Sequence, residues 1–354
     1  MVDNVLYSTA DLVEVIRTIR TPRRFFLDRF FRATPYLSTR EEIYFDEVLE
    51  DLPVMAPFVA PIVQAKPQKR HGYQAKSFRP AYVKPKHFLK PGDFIRRNPG
   101  EPLLGDLTQE ERMNASRLDT LALQKRQIEE RWEWMAAKAI VDGKVTIAGE
   151  DYPSVEVDFG RDAGNEIIVS GAGNIWSNAA ADISGMLEDW SDIILEKTGY
   201  AGTDVIMSPE AWKFLRNNAQ LLKEADLRRG VQNTPNLQPQ AAVEGARMVG
   251  QWGEFTLWVY AGRFKEQNGT TSRAIAANDV VMTAAPAQED GTGGVHGVRC
   301  FGAIQDVDAM LRPLDIFPKE WVEPDPSGLQ LMSQSAPLMI PGRPNATVKA
   351  TVIS

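Results

Sequence analysis

The residue types that do chemistry are scarce in this chain of 354 residues, and their spacing completes no reactive site. His296 and Cys300 stand four apart in "HGVRC", which is half of a zinc arrangement. Tetrahedral zinc needs three or four such ligands. With three histidines in all (His71, His87, His296) and one cysteine, no second pair is at hand. "SGAGN" (Ser170–Asn174) has the glycine spacing of a weak phosphate loop. No Gly-Lys-Ser/Thr follows to cradle and neutralise a phosphate, so it reads as a turn. Asp306 and Asp308 in "QDVDA" could hold a cation between paired carboxylates. A calcium loop clusters more acids around a central glycine, so this too reads as a solvated turn. No nucleophile elbow, HExxH pair or kinase-like set occurs. The sequence therefore predicts no enzyme, no bound metal and no cofactor.

What remains is charge. The net −7 is the balance of +9 between Lys66 and Arg97 and −16 elsewhere. Ten basic residues (Lys66, Lys69, Arg70, Lys76, Arg79, Lys84, Lys86, Lys90, Arg96, Arg97) face one acid, Asp93, in that segment. A basic stretch on an acidic body fits nucleic acid or the acidic body of an identical neighbour. His87, within "AYVKPKHFLKPGD", has no visible metal partner and reads as a packing or hydrogen-bonding residue.

The elements that carry these charges are unusual. Residues 53–91 hold seven prolines among alternating apolar and polar positions. "FVAPIVQ" and "YQAKSFRPAYV" read as two strands, with "KPQKRHG" as their turn. Proline removes a ladder donor, which confines such strands to an edge or an exposed hairpin. A lone two-stranded ribbon is marginally stable, so its support must come from another surface, and none is visible nearby in the chain. Upstream, "STADLVEVIR" predicts a short helix capped by Ser8 or Thr9. "RRFFLDRFF" supplies an apolar anchor in Phe25, Phe26, Phe30 and Phe31, and Arg40–Asp51 is an acidic patch.

The longest helix signal covers Gln109–Val141, opened by a capping box of Thr108 and Glu111 and ended by Asp142-Gly143. Leu118, Leu121, Lys125, Ile128, Trp132, Met135 and Ala139 form one stripe interrupted by a single lysine. Trp132 and Trp134 read as core or contact residues rather than platforms for bases. A hairpin (Lys144–Ile147 with Ser154–Phe159) follows. Then come a helix from about Ala179 to Lys197 and a strand leading into a helix with Ser208 as N-cap and Pro209 first. "LKEADLRRG" extends or follows that helix. "FTLWVYAGRF", "DVVMTAA" and "GVRCFGAIQ" are strands, and the last segment reads as one or two long strands.

The composition is that of a globular protein, 43% hydrophobic and 25% charged, long enough for two or three cores. No run approaches the ~18 apolar residues of a membrane span. The first residues lack the pattern of a secretory signal. One cysteine excludes an intrachain disulfide framework and points to a reducing compartment.

Several stretches carry a resemblance. "YVKPKH" (Tyr82–His87), "GKVTIAGE" (Gly143–Glu150), "VEVDFGR" (Val155–Arg161), "CFGAIQDVDA" (Cys300–Ala309), "PKEWV" (Pro318–Val322) and "QSAPLM" (Gln334–Met339) resemble, in order and over nearly the whole chain, the major capsid protein E family of lambda-type tailed phages. The resemblance implies an α+β chain with the Hong Kong 97-type capsid fold. That fold has an N-terminal arm (1–49), an extended loop (50–87), a peripheral domain (88–161) with a spine helix (109–141), an axial domain (162–310), and return strands to the peripheral domain (311–354).

The implied function is that of the head protein of a double-stranded DNA phage. Copies join as hexamers and pentamers into an icosahedral shell, assembled in the host bacterial cytoplasm and carried in the virion, with no membrane. A separate scaffolding protein, a portal and a decoration protein at threefold positions are implied partners. The enclosed DNA is bound without sequence specificity. Isopeptide crosslinking, used by some relatives of the fold, is not expected.

Under this reading the lysines and arginines Lys66, Lys69, Arg70, Lys76, Arg79, Lys84, Lys86 and Lys90 meet carboxylates of a neighbouring subunit, near Glu41–Asp51 or the acids of the spine helix. The alternative is a nucleic-acid-binding protein using Lys66–Arg97. It predicts a steep salt dependence of DNA affinity and leaves the long helix and C-terminal strands unexplained.

Overall fold

The computed structural model describes residues 7–48, 73–92, 108–149, 152–171, 173–219, 221, 244–266, 269–286, 294–295, 297–309 and 314–353. Five helices occur among them: α1 (Thr9–Thr18), α2 (Phe25–Phe30), α3 (Gln109–Val141), α4 (Ile183–Thr198) and α5 (Pro209–Arg216). Three begin where local chemistry says they should. Ser8 and Asp11 form a capping box at α1, Thr108 and Glu111 form one at α3, and the Ser208 hydroxyl accepts from the Ala211 N–H with Pro209 at the first position of α5. Helix α4 starts at Ile183, four residues later than the sequence predicts, because Asp182 provides the cap by accepting from Gly185 N.

Helix α3 covers the predicted span of 33 residues, ~50 Å at the rise of an α-helix. Its stripe is buried from Leu121 through Ile128, Trp132, Met135 and Ala139, whereas Leu118 is 48% exposed near the N-terminal end. Gly143, at φ +67°, stops the helix in the left-handed conformation. A Cβ there would lie 2.9 Å from Arg161 Cβ, so both backbone and space favour glycine.

The largest sheet has six strands. In spatial order they are Glu166–Ile168, Thr347–Thr351, Asp279–Ala284, Gly202–Met207, Phe255–Tyr260 and Ala246–Trp252. All six residues of Asp279–Ala284 are buried, as a strand covered on both faces requires. Helix α4 packs Ile183, Leu187, Trp190 and Ile194 toward the core on one side. Trp258 and Tyr260 meet the Phe25 ring at 5.2 and 5.7 Å between centroids.

Two smaller sheets complete the frame. Phe317–Pro324, Ser327–Gln334 and Lys86–Leu89 form one, and Tyr36–Leu37, Gly297–Phe301 and Pro337–Pro341 the other. The predicted hairpin after α3 is present as Lys144–Gly149 with Tyr152–Asp158.

Two sequence expectations change. Strand Tyr73–Phe78 pairs antiparallel with Ile43–Val48, so the acidic patch assigned to the arm supplies its partner. "FVAPIVQ" and "KPQKRHG", together with Lys66, Lys69 and Arg70, lie outside the described residues. The C-terminal stretch also divides. Ser327–Gln334 and Pro337–Pro341 stay in the small sheets, but Thr347–Thr351 inserts into the six-stranded sheet beside Asp279–Ala284. Burial of Thr347, Val348 and Ala350 against a fully buried strand gives the physical reason for that placement.

Candidate functional site

The basic strap is described from Tyr73 to Gly92, and its cations rest on the chain's own surface. Lys76 Nζ donates to Asp158 O at 3.2 Å. Arg79 pairs with Glu41 at 2.9 Å, both more than half exposed. Lys84 Nζ lies 4.6 Å from the centre of the Tyr82 ring, and Lys86 Nζ lies 5.1 Å from that of Trp321. Lys84, Lys86 and Lys90 are all exposed. Of the exposed lysines, Lys84 and Lys86 thus present their ammonium groups on aromatic supports. Glu41, proposed as a neighbour's target, is met here by Arg79 of the same chain.

Polar contacts of Tyr82 and of Gln124 hold the strap. Tyr82 donates to Ala303 O at 2.7 Å and accepts from Gln305 N at 3.2 Å. Lys86–Leu89 adds to the edge of Ser327–Gln334, with His87 opposite Leu331. Beneath that pair the fully buried Gln124 of α3 donates to Leu331 O at 2.9 Å, contacts His87 Nδ1 at 3.1 Å, and accepts from Ser333 Oγ at 2.7 Å. His87 is therefore a hydrogen-bonding residue between strap and helix. Sequence reasoning missed Gln124, Tyr82 and Trp321. A buried glutamine inside a helix leaves no motif, and Trp321 lies more than 200 residues from its lysine.

The other candidates resolve locally. Lys319 inserts its ammonium between Asp306 and Asp308, at 3.1 and 2.6 Å, so the cation of that pair is the chain's own. Burial pushes the Asp306 carboxyl up, but the hydrogen bonds from Asp308 N–H and Lys319 prevail and hold it below the usual range. Ser170–Asn174 turns on Gly171 at φ +94°, with Asn174 N donating to Gly171 O. Cys300 sits in a strand, and burial pushes its thiol up to about 12, far from a reactive thiolate. His296 lies outside the described residues. No group of three metal-ligating side chains occurs among the described residues, and no described helix is long and apolar enough to cross a membrane.

A second constellation surrounds α2. Its N-cap, Arg24, makes no side-chain capping bond. Instead the Glu133 carboxylate of α3 accepts from Phe26 N and Leu27 N, both at 2.9 Å. At the other end Arg299 donates to Phe31 O and Leu27 O. An anion at the N-terminus and a cation at the C-terminus both oppose the helix dipole. Lys125, the interruption in the α3 stripe, donates to Ile16 O and Ile19 O at the end of α1, at 3.0 and 2.7 Å. Arg24, nearly buried, joins Glu130 and Glu244.

Comparison with known proteins fits this geometry. The model of the family "Phage major capsid protein E" matches residues 8–352. The major capsid protein of Enterobacteria phage phi80 is 32% identical over 354 residues, with 97% of this chain and 98% of the relative covered. That of Escherichia phage lambda is 31% identical over 352 residues with the same coverage. Among solved structures, a prophage capsid protein from E. coli CFT073 superposes with a TM-score of 0.72 at 22% identity, covering 98% of this chain and 99% of that one. The architecture is that of Hong Kong 97-type phage capsid proteins, and the chain belongs to the phage major capsid protein E family.

Proposed function

We propose that this chain is the repeating subunit of a tailed-phage head, joining with copies of itself into an icosahedral shell around double-stranded DNA. The observation that carries this reading is the family match, which spans both the helix-rich and the sheet-rich parts rather than one shared element. Hexamers and pentamers are the proposed capsomers, built in the bacterial cytoplasm on a scaffolding protein, with a portal and a threefold decoration protein as further partners. The role is structural. Within the subunit, residues 9–31 form the folded base of the arm, 43–48 and 73–78 the stem of the extended loop, and the six-stranded sheet the axial domain.

Physically, the function is repeated weak association made strong by multivalency. A single interface of ordinary size gives moderate affinity, whereas a subunit held by several neighbours at once gains the effective concentration of each tether. The strap supports this reading because Lys84 and Lys86 are exposed and lie over aromatic rings, the second of them at the start of a bonded edge strand. Charges placed in this way can meet a neighbour's carboxylates with little ordering cost.

Negative-stain microscopy of the purified chain, with and without a co-expressed scaffolding protein, tests the proposal. Closed shells or hexameric and pentameric capsomers are expected. A chain that stays monomeric in both preparations, and binds duplex DNA with a steep salt dependence, would replace it with the nucleic-acid reading.

A further inference from the structure

Glu133 differs from most acids among the described residues. It is 2% exposed, sits in the C-terminal third of the long helix, and its two oxygens accept from main-chain N–H groups of a separate segment, not from a cation. The groups around it come from four elements. From the α2 segment come Arg24 at the N-cap and Asp28, itself held by Arg299 at 3.1 Å. From α3 come Glu129 and Glu130. From strand Phe255–Tyr260 comes the Tyr260 hydroxyl, 3.4 Å from Oε1. Glu244 reaches the same place through Arg24 at 2.9 Å. These acids are each met by a cation, Glu130 and Glu244 by Arg24, Asp28 by Arg299 and Glu129 by Lys125, whereas Glu133 forms no ion pair of its own among the described residues, in a dry setting beside the rings of Phe26 and Tyr260, 4.9 Å apart.

We propose that Glu133 is a proton-linked latch, whose charge state sets how tightly the segment Arg24–Phe31 is held against the long helix. With the carboxyl neutral, Oε2 keeps the Leu27 amide while the acid proton can turn to the Tyr260 oxygen, and no charge is buried. Ionised, the carboxylate keeps both amide bonds but is a buried charge without an ion pair of its own, since Arg24 is engaged by Glu130 and Glu244, and opening the segment to water solvates it. Burial is the larger influence, outweighing the two amide bonds and Arg24, and it raises the carboxyl to about 7 from an ordinary 4.5.

The sign follows from linkage. Between the ordinary value and about 7 the docked state binds more protons than the opened one, so docking weakens as pH rises through that window. The device concerns the subunit itself and stands whether or not the chain builds shells. What it would control is the release of an apolar segment, with Phe25, Phe26, Leu27, Phe30 and Phe31 all buried when docked.

The test is native-state hydrogen exchange on the full chain as dispersed subunits from pH 5.5 to 8.5, corrected for intrinsic exchange, read on peptides covering Phe26 and Leu27. Protection there should fall about twenty-fold between pH 5.5 and 7.5, the change that linkage gives for a group moving from 4.5 to about 7. Glu133→Gln should lose this slope, whatever its absolute protection. Asp28→Asn, which removes a facing negative charge, should move the midpoint to lower pH, and it decides the matter if the glutamine variant does not fold. A flat wild-type profile, a glutamine variant with an unchanged slope, or an unmoved Asp28→Asn midpoint would each overturn the latch.

Discussion

The docking site of the N-terminal helices and the basic strap are both rich in charge, and they use it oppositely. Around α1 and α2 the charges of Lys125, Glu133 and Arg299 are turned inward, and each meets main-chain groups left unpaired at a helix end. Along the strap, Lys84, Lys86 and Lys90 face solvent, and the contacts seen for Lys84 and Lys86 are ring faces. The first region closes the subunit upon itself. The second leaves its ammonium groups exposed, as the proposed contact with another copy requires. Burial rather than residue type separates a charge that folds the chain from one that can join chains.

If that contrast holds, damage near the docking site should unfold the subunit while damage to the strap should not. The largest effect is expected at Phe26, fully buried and in edge or tilted contact with Phe25, Phe30 and Tyr260. Phe26→Ala should cost about 3–5 kcal/mol, the range for an aromatic removed from a packed core. Urea denaturation of the dispersed subunit measures it. A loss below about 1 kcal/mol would mean that α2 is not part of the core.

Next is Gly143, which ends α3. Gly143→Ala places a side chain in the left-handed region and drives Cβ toward Arg161, and it should cost about 1–3 kcal/mol in the same assay. The neighbouring Asp142 gives a pH signature. It accepts from Lys138 at 2.8 Å and Lys349 at 2.7 Å, joining the end of the long helix to the C-terminal strand of the six-stranded sheet. Burial pushes its carboxyl up, but the bonds from the two lysines outweigh this and hold it below the ordinary value. A depressed carboxyl contributes stability that is present above its unfolded value and lost as pH falls through the folded one. Asp142→Asn should therefore lower stability at pH 7 by about 1–2 kcal/mol and flatten the acid limb of the stability curve below about pH 4. An unchanged acid limb would show that the junction does not matter.

These sites also show what could be read in the chain and what could not. Helices α1, α3 and α5 were legible because their caps are local. Ser8, Thr108 and Ser208 sit within three residues of the amides they serve. The ends of α2 were not, since its caps come from 107 and 268 residues away and no spacing rule links Phe26 to Glu133 or Phe31 to Arg299. Lys125 was visible as a flaw in an apolar stripe, but its reason, the end of α1, is a tertiary fact. Of the strap, the extended path and the exposure of the lysines were readable from prolines and charge. The partner of Tyr73–Phe78 was not, because an acidic run gives little sign of being a strand.

The smallest effect on the isolated subunit, and the sharpest use of the contrast, is expected from replacing Lys84, Lys86 and Lys90 together with glutamate. All three are exposed, and ring-face contacts of exposed ammonium groups are worth about 0.5–1 kcal/mol. Unfolding of the dispersed subunit should therefore shift by no more than about 1–2 kcal/mol. Assembly should respond differently, because every interface in a closed shell carries the same substitution. A loss too small to unfold one subunit is then repeated at each contact, with like charges now facing the acidic body of the neighbour. The yield of closed particles by electron microscopy should drop sharply while the thermal midpoint hardly moves. Wild-type particle yields would show that the strap lysines do not join copies. A collapse of the thermal midpoint would show that they belong to the fold, and the division between the two regions would fail.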